Sequence, residues 1–288
     1  MTSVYVLALA AAFGSAASTI FIRQGLRGSN PYAGFWINVV VGTIGLWTAV
    51  VFTGGLHAIS ASGIMFFLLA GLIGTVAGRL LRFVAIERVG ASIGAAVVNL
   101  NPLVSTLVAI LFLGETVTPG IVAGTGVIVL GTTLLSISAG PVGFRPWELI
   151  FPVLSAVCFG VVAVLRKLGL SHTGAVQGSA INATTALIAY ATLLLATGNR
   201  SAMRCRGRSL LCFVAAGIAE NGAVFMNVVA LGLGAVSIVA PLYGAAPIFV
   251  LLLSLLFLRG VEALTPRMVA GTVLTVLGVA LITALSRR

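Results

Sequence analysis

Long runs of apolar residues dominate the sequence, and short polar or glycine-rich breaks separate them. A helix needs about 20 apolar residues to cross the ~30 Å hydrocarbon core of a bilayer, and most of the runs reach that length. The runs are too long and too uniformly apolar for the strands of a membrane β-barrel. The expected fold class is therefore an all-α integral membrane bundle. Ten transmembrane helices are predicted, at roughly residues 3–22, 33–53, 63–86, 91–113, 119–139, 148–165, 176–197, 210–231, 235–258 and 266–285.

The composition excludes the other classes of protein. Of the 288 residues, 60% are hydrophobic and 7% are charged, whereas ordinary soluble domains have about 45–50% and about 25%. So few charges could not cover the surface of a soluble enzyme. Three cysteines without metal-ligand spacing and two histidines favour neither a disulfide framework nor a metal site. We therefore expect no metal, no cofactor and no catalytic residues.

The net charge of +11 concerns lipid rather than nucleic acid. Basic residues sit mostly at the ends of the apolar runs, where they bind lipid headgroups and set orientation. We expect the lipid bilayer as a partner, no nucleic acid, and a multi-pass location in a bacterial-type inner (plasma) membrane. Ten spans put both termini on one side. The opposite loops carry ten basic residues and the terminal side carries four, which predicts termini outside the cell. The four are Arg166, Lys167, Arg287 and Arg288.

The second half of the chain repeats the first half. Residues 115–124 and residues 262–271 are identical at six of ten positions. This predicts two repeats of five helices each, residues 1–140 and 146–288. Because five is odd, the second repeat enters the membrane from the opposite side. Inverted repeats of this kind build secondary transporters, whose substrate site lies near the membrane midplane between the halves.

Two motifs resemble a known family. PheLeuGlyGluThrValThrPro at residues 112–119, followed by GlyThrGlyValIleValLeuGly at 124–131, resembles the EamA-type signature of the drug/metabolite transporter superfamily. The copy at residues 257–266 is similar but has two extra residues before its Glu, and residues 101–107 resemble the proline region of the fourth helix. The resemblance implies a ten-helix transporter whose helices 3, 4, 8 and 9 line a central cavity. It also implies cytoplasmic termini, against the charge count, so the orientation stays open.

Three charged residues lie well away from the ends of predicted spans, where a charge is costly and indicates function by default. Glu220 lies near the middle of the eighth span, and Arg79 and Arg82 share one face of the third. Snorkelling to the headgroups would explain Arg82, whereas Arg79 lies deeper. The repeat pairs the third helix with the eighth, so these residues are expected to face one cavity. An Arg–Glu gate, a zwitterion site, an anion site and proton coupling through Glu220 are the alternatives.

Polar residues and prolines on the cavity helices complete the candidate site. Pro102 and Pro247 lie mid-span in helices 4 and 9, where each removes a backbone hydrogen bond and kinks its helix. We predict that they act as hinges and that they free the carbonyl groups of Val98 and Tyr243. The predicted substrate-binding residues are Arg79, Arg82, Asn99, Asn101, Glu220, Asn221, Asn227 and Tyr243.

Other repeated residues are predicted to be structural. Asn38 and Asn182 occupy matched positions in helices 2 and 7 and are interpreted as packing or hydrogen-bonding residues. Glu115 and Glu262 border helices and are expected near a helix N-terminus, where the helix dipole favours a carboxylate. Small residues let helices approach closely. Such a face is predicted on helix 3 at Gly71, Gly74 and Gly78.

These observations predict a secondary transporter, not an enzyme, that exports a small organic metabolite such as an amino acid by alternating access. The alternatives are an exchanger of anionic metabolites, such as organic phosphates or nucleotide sugars, and a lipid-headgroup flippase. The sequence has no nucleotide-binding GxxxxGK[ST] motif, which argues against ATP-driven transport by this chain alone. It leaves open the substrate, the direction, the coupling ion and the oligomeric state, and it is compatible with a monomer.

Overall fold

The structure is a computed structural model that describes residues 2–55, 59–89, 94, 97–98, 100–115, 117–137, 145–198, 204–257 and 266–285. Within these ranges the chain forms helices and turns, with no strand. The α-helices are α1 (Thr2–Gly25), α2 (Pro31–Phe52), α3 (Ala61–Ala70), α4 (Arg79–Arg88), α5 (Asn101–Leu113), α6 (Pro119–Ile137), α7 (Ile150–Leu170), α8 (Ala175–Ala196), α9 (Gly207–Leu233), α10 (Val236–Tyr243), α11 (Ala246–Phe257) and α12 (Pro266–Leu285). A π-helical segment, Gly71–Gly78, joins α3 to α4, and a 3-10 turn, Pro146–Leu149, precedes α7.

Six helical segments of the described chain are long and apolar enough to cross a membrane. They coincide with the first, second, third, sixth, seventh and eighth predicted spans. In the other four predicted spans, the apolar helical stretches of the described chain are shorter. The chain is thus a multi-pass, all-helical membrane protein, and the count of ten transmembrane helices remains a prediction.

Local sequence signals begin and end several of these helices. The Asn30 side chain accepts a hydrogen bond from the Ala33 N–H at 2.9 Å, and Pro31 follows as the first residue of α2. A proline is favoured there because its missing N–H would have no partner within the helix. At the other end of a span, Gly114 terminates α5 in the left-handed conformation, with φ of +61°.

The two halves of the chain pack into each other. Helix α1 of the first half packs along α9 of the second half, and α6 of the first half packs along α12 of the second half. The third span packs on α7 and α8 in the same way. The surface between the halves is therefore the interior of the molecule, which is where a central site belongs.

Glycines bring the third span close to α7 and α8. A Cβ added to Gly71 would lie 2.8 Å from the Asn182 carbonyl oxygen, and one added to Gly74 would lie 2.8 Å from both methyl carbons of Val162. The predicted close face therefore exists. It lies within the π-helical segment, a kind of irregularity that often occurs at functional sites.

The structure corrects the prediction of mid-helix kinks at the two prolines. Pro102 lies in the first turn of α5, after a turn at Leu100, and Pro247 lies at the second residue of α11. The ninth span is interrupted between Pro241 and Pro247, because α10 ends at Tyr243 and α11 begins at Ala246. The Val98 carbonyl is not free either, since the Asn101 side-chain amide donates to it at 2.9 Å.

Two charged side chains hold the ends of α9 and α10. The Glu115 carboxylate accepts hydrogen bonds from the backbone N–H groups of Val236 (2.8 Å) and Ser237 (3.0 Å) at the start of α10. The Lys167 ammonium donates to the carbonyls of Leu231 (2.7 Å) and Gly234 (2.8 Å) at the end of α9. Each charge has the sign that the helix dipole favours at that end. Glu262, the repeat partner of Glu115, lies outside the described residues.

We predict that Gly74→Ala destabilises the protein by about 1–3 kcal/mol, because the new methyl group meets Val162 in a closely packed contact. Gly222→Ala is the matched control, since a Cβ at Gly222 meets nothing within 4 Å. That substitution should be neutral or stabilise by up to about 1 kcal/mol through helix propensity. Denaturant unfolding in detergent micelles measures both. Equal stability of the two variants would contradict the close contact.

Candidate functional site

A central cavity of about 100 Å³ lies between the two halves. The first half contributes residues of α1, the π-helical segment, α4 and α5 to its wall, and the second half contributes residues of α7, α9, α10 and α11. The polar side chains in its lining are Ser15, Thr19, Thr75, Arg79, Arg82, Asn101, Arg166, Glu220, Asn227 and Tyr243.

An ion pair crosses from the first half to the second. The Arg82 Nη1 atom lies 2.8 Å from the Glu220 Oε1 atom, and their side chains are 14% and 3% exposed. The Arg82 Nη2 atom donates to the Thr19 hydroxyl at 2.5 Å. The interpretation of Arg82 as a snorkelling residue is therefore wrong. Its guanidinium turns inward to Glu220, so the buried carboxylate is not left as an uncompensated charge.

The hydrogen-bond partners of Arg79, which is 3% exposed, are neutral side chains. Its Nη1 atom donates to the side-chain carbonyl oxygens of Asn38 at 2.7 Å and Asn221 at 3.2 Å. The Asn221 amide in turn donates to the Gly217 carbonyl at 2.8 Å, which fixes its orientation. Arg79 is thus hydrogen-bonded, but its positive charge has no carboxylate beside it in this network.

The two matched asparagines both reach the third span. Asn38 of α2 binds Arg79, and the Asn182 amide of α8 donates to the Thr75 hydroxyl at 2.9 Å. One oxygen of the cavity lacks a partner within the described residues, namely Oε2 of Glu220. The same is true of Oδ1 of Asn182.

Arg166 is the charged residue of the described cavity wall that the sequence did not predict. The sixth span is predicted to end at residue 165, but α7 continues to Leu170 and carries Arg166 into the cavity wall. Arg166 thus lines the cavity and does not belong to the loop charges on the terminal side. A signal existed in the sequence: Leu168 and Leu170 continue the apolar pattern beyond the two basic residues.

The structure brings most of the predicted binding residues together. Asn221 lies behind Arg79, on a smaller cavity that shares Arg79 and Arg166 with the central one. Asn99 lies outside the described residues, and Pro102 is not among the residues that line the described cavity. The predicted residues that line the central cavity are Arg79, Arg82, Asn101, Glu220, Asn227 and Tyr243.

Comparison with known proteins yields a family and a fold. The sequence profile of the EamA-like transporter family matches residues 2–137 and again residues 146–284. A crystal structure of another protein superposes with a TM-score of 0.80 at 20% sequence identity, covering 100% of this chain and 99% of the other. At that identity the likeness concerns the fold alone. Among curated proteins, none matches the sequence significantly.

We predict that Glu220→Gln destabilises the protein by about 2–5 kcal/mol, because it leaves the Arg82 charge buried without its carboxylate. The double variant Arg82→Gln/Glu220→Gln should recover part of that loss, since it removes both charges. Denaturant unfolding in detergent micelles measures the cycle.

The matched control is Arg88→Gln, which breaks a 3.4 Å pair with Glu148 in which the Arg88 side chain is 49% exposed. It should change the stability by no more than about 1 kcal/mol. A double variant as unstable as Glu220→Gln alone would contradict the ion-pair interpretation.

Proposed function

Since the chain belongs to the EamA-like transporter family, we propose that it is a secondary transporter that exports a small organic metabolite by alternating access. Members of this family are membrane transporters of small solutes rather than enzymes. The proposal includes export as the direction and alternating access as the mechanism. It also includes a location in a bacterial-type inner membrane and ten helices in two inverted five-helix repeats, residues 1–140 and 146–288.

The observation that carries the proposal is the polar cavity between the halves. It holds four charged side chains in a protein with 7% charged residues, and they come from both halves. Charged groups inside a membrane are costly and mark substrate or ion pathways. A site shared by two matched halves is accessible to each side in turn when one half rocks against the other.

An amino acid is the first candidate substrate. Its carboxylate would bind an arginine of the cavity, and its ammonium would bind Glu220, whose Oε2 atom has no partner in the described chain. Protonation of that carboxyl group would couple transport to a proton gradient. No bound cofactor is required in either case.

An exchanger of anionic metabolites is the second candidate, and one observation favours it. Three arginines but a single carboxylate line the described cavity. An exchanger would show trans-stimulation by a second anion and little dependence on pH. A lipid-headgroup flippase is the remaining alternative and would move labelled lipid rather than a soluble solute.

We predict saturable uptake of at least one solute by proteoliposomes that contain the purified chain. The panel holds labelled alanine, malonate, inorganic phosphate, a nucleotide sugar and choline, with and without the same solute inside. Arg79→Ala should reduce the uptake of alanine or of an anion about tenfold or more, because it removes a charge-assisted contact, and Glu220→Gln should do the same for alanine. Arg88→Gln lies outside the cavity and should leave uptake unchanged.

Repeating the uptake with an imposed pH gradient separates proton coupling from exchange. Uptake of every solute at the rate of protein-free liposomes would overturn the proposal. Movement of a headgroup-labelled lipid in that case would support the flippase.

A further inference from the structure

We infer that Arg166 and Arg79 form a binding site for a compact dianion, a substrate whose two negative charges reside on carboxylate or phosphate oxygens. This inference rests on the proposed function, because it names the substrate class of the same cavity. It gives Arg166 a substrate-binding role.

The charges in the cavity do not balance. Arg79, Arg82 and Arg166 face a single carboxylate, that of Glu220, and that carboxylate is already bound to Arg82. The other acidic side chains of the described chain lie elsewhere: Glu87 is exposed, and Glu115 and Glu148 bind at helix ends. Two positive charges are therefore uncompensated in the wall of the described cavity. In the low-dielectric interior of a membrane protein, an anionic ligand that supplies two negative charges gains the most.

The two uncompensated guanidiniums differ in how much binding capacity they have left. Arg79 uses one nitrogen, Nη1, to bind the amides of Asn38 and Asn221. Within the described chain, no protein atom forms a hydrogen bond or ion pair with the guanidinium of Arg166. A guanidinium presents five N–H donors in a planar fork that matches carboxylate and phosphate oxygens. Arg166 therefore offers the anchor, and Arg79 offers a second, pre-oriented contact.

The two arginines come from different halves of the chain. Arg79 is the first residue of α4, and Arg166 lies on α7, and both line the central cavity and the smaller one. Two cations that share a cavity of low dielectric constant repel each other. A dianion bound between them replaces this repulsion by two attractions. Occupancy would thus hold the two halves together, which gives the substrate a differential affinity for the closed arrangement.

A zwitterion fits the described cavity less well. Its ammonium would need a free carboxylate oxygen, but Oε1 of Glu220 is bound to Arg82 and Oε2 is buried out of reach of water. A zwitterion also carries no net charge, so it would leave the surplus of two positive charges as it was. A dianion would instead bind the guanidiniums of Arg79 and Arg166, which line the cavity.

The test is thermal unfolding of the full chain, purified in detergent at neutral pH, with malonate or inorganic phosphate as the dianion. Alanine and choline are the comparison probes, and sodium chloride matches the ionic strength. Binding to the folded state raises the unfolding temperature. Malonate, phosphate or both should stabilise the wild type, and which of them does so separates a dicarboxylate site from a phosphate site. Alanine and choline should not stabilise it.

Arg166→Gln should weaken dianion binding about 10- to 150-fold, the loss expected for one charge-assisted contact. Arg166→Lys keeps the charge without the planar fork and should recover part of the affinity. The control Arg208→Gln removes an exposed arginine at the start of α9 and should bind like the wild type. Without ligand, Arg166→Gln should unfold at a higher temperature than the wild type, because it removes an uncompensated charge. A merely structural arginine would give the opposite shift.

Each outcome separates this inference from the proposed function. The inference is overturned if neither dianion stabilises the wild type, or if Arg166→Gln leaves the stabilisation unchanged. This holds even when proteoliposomes transport alanine. Dianion binding that depends on Arg166 supports the inference even when no solute is transported. In that case only the proposed transport function is overturned.

Discussion

The compensation of charge inside the membrane is the constraint on which this structure depends. The third span carries Arg79 and Arg82 through an apolar bundle, and each guanidinium must find partners within the protein. The partners come from three other helices: Thr19 on α1, Asn38 on α2 and Glu220 with its neighbour Asn221 on α9. The polar network therefore fixes how these helices are arranged around the third span, which nonspecific apolar packing against lipid could not do.

Glycines determine how closely the third span, which carries this network, approaches its neighbouring helices. The π-helical segment ends immediately before Arg79, and its glycines let the third span approach α7 and α8 more closely than larger side chains would allow. The same approach brings α7, and with it Arg166, to the cavity wall. The third span must therefore meet two requirements: glycines for close packing on one face, and partners for its arginines on another.

The sequence predicted the parts that depend on composition and failed where geometry decides. Apolar runs located the helices, and their length identified the membrane. The residues Arg79, Arg82 and Glu220 were found because charges in such runs are rare. Their pairing was not, since residues three positions apart share one face of a helix, and only the rotation of α9 decides which of them meets Glu220. Arg166 was missed because two basic residues resemble the end of a span.

The repeat gives the two halves one fold but different chemistry. At the repeat offset, Thr75 corresponds to Glu220 and Arg79 to Val224, so the third span carries cations where its partner helix carries the carboxylate. In the proposed inverted-repeat topology, a pseudo-two-fold axis in the membrane plane would relate two alternative arrangements of the halves. The Arg82–Glu220 pair crosses between the halves at 2.8 Å, so relative motion of the halves must lengthen or reorganise it. In the proposed cycle, a substrate lowers that cost only if it binds the cavity arginines more tightly in one arrangement than in the other. The asymmetric charges, rather than the symmetric fold, therefore decide which solute can drive the motion.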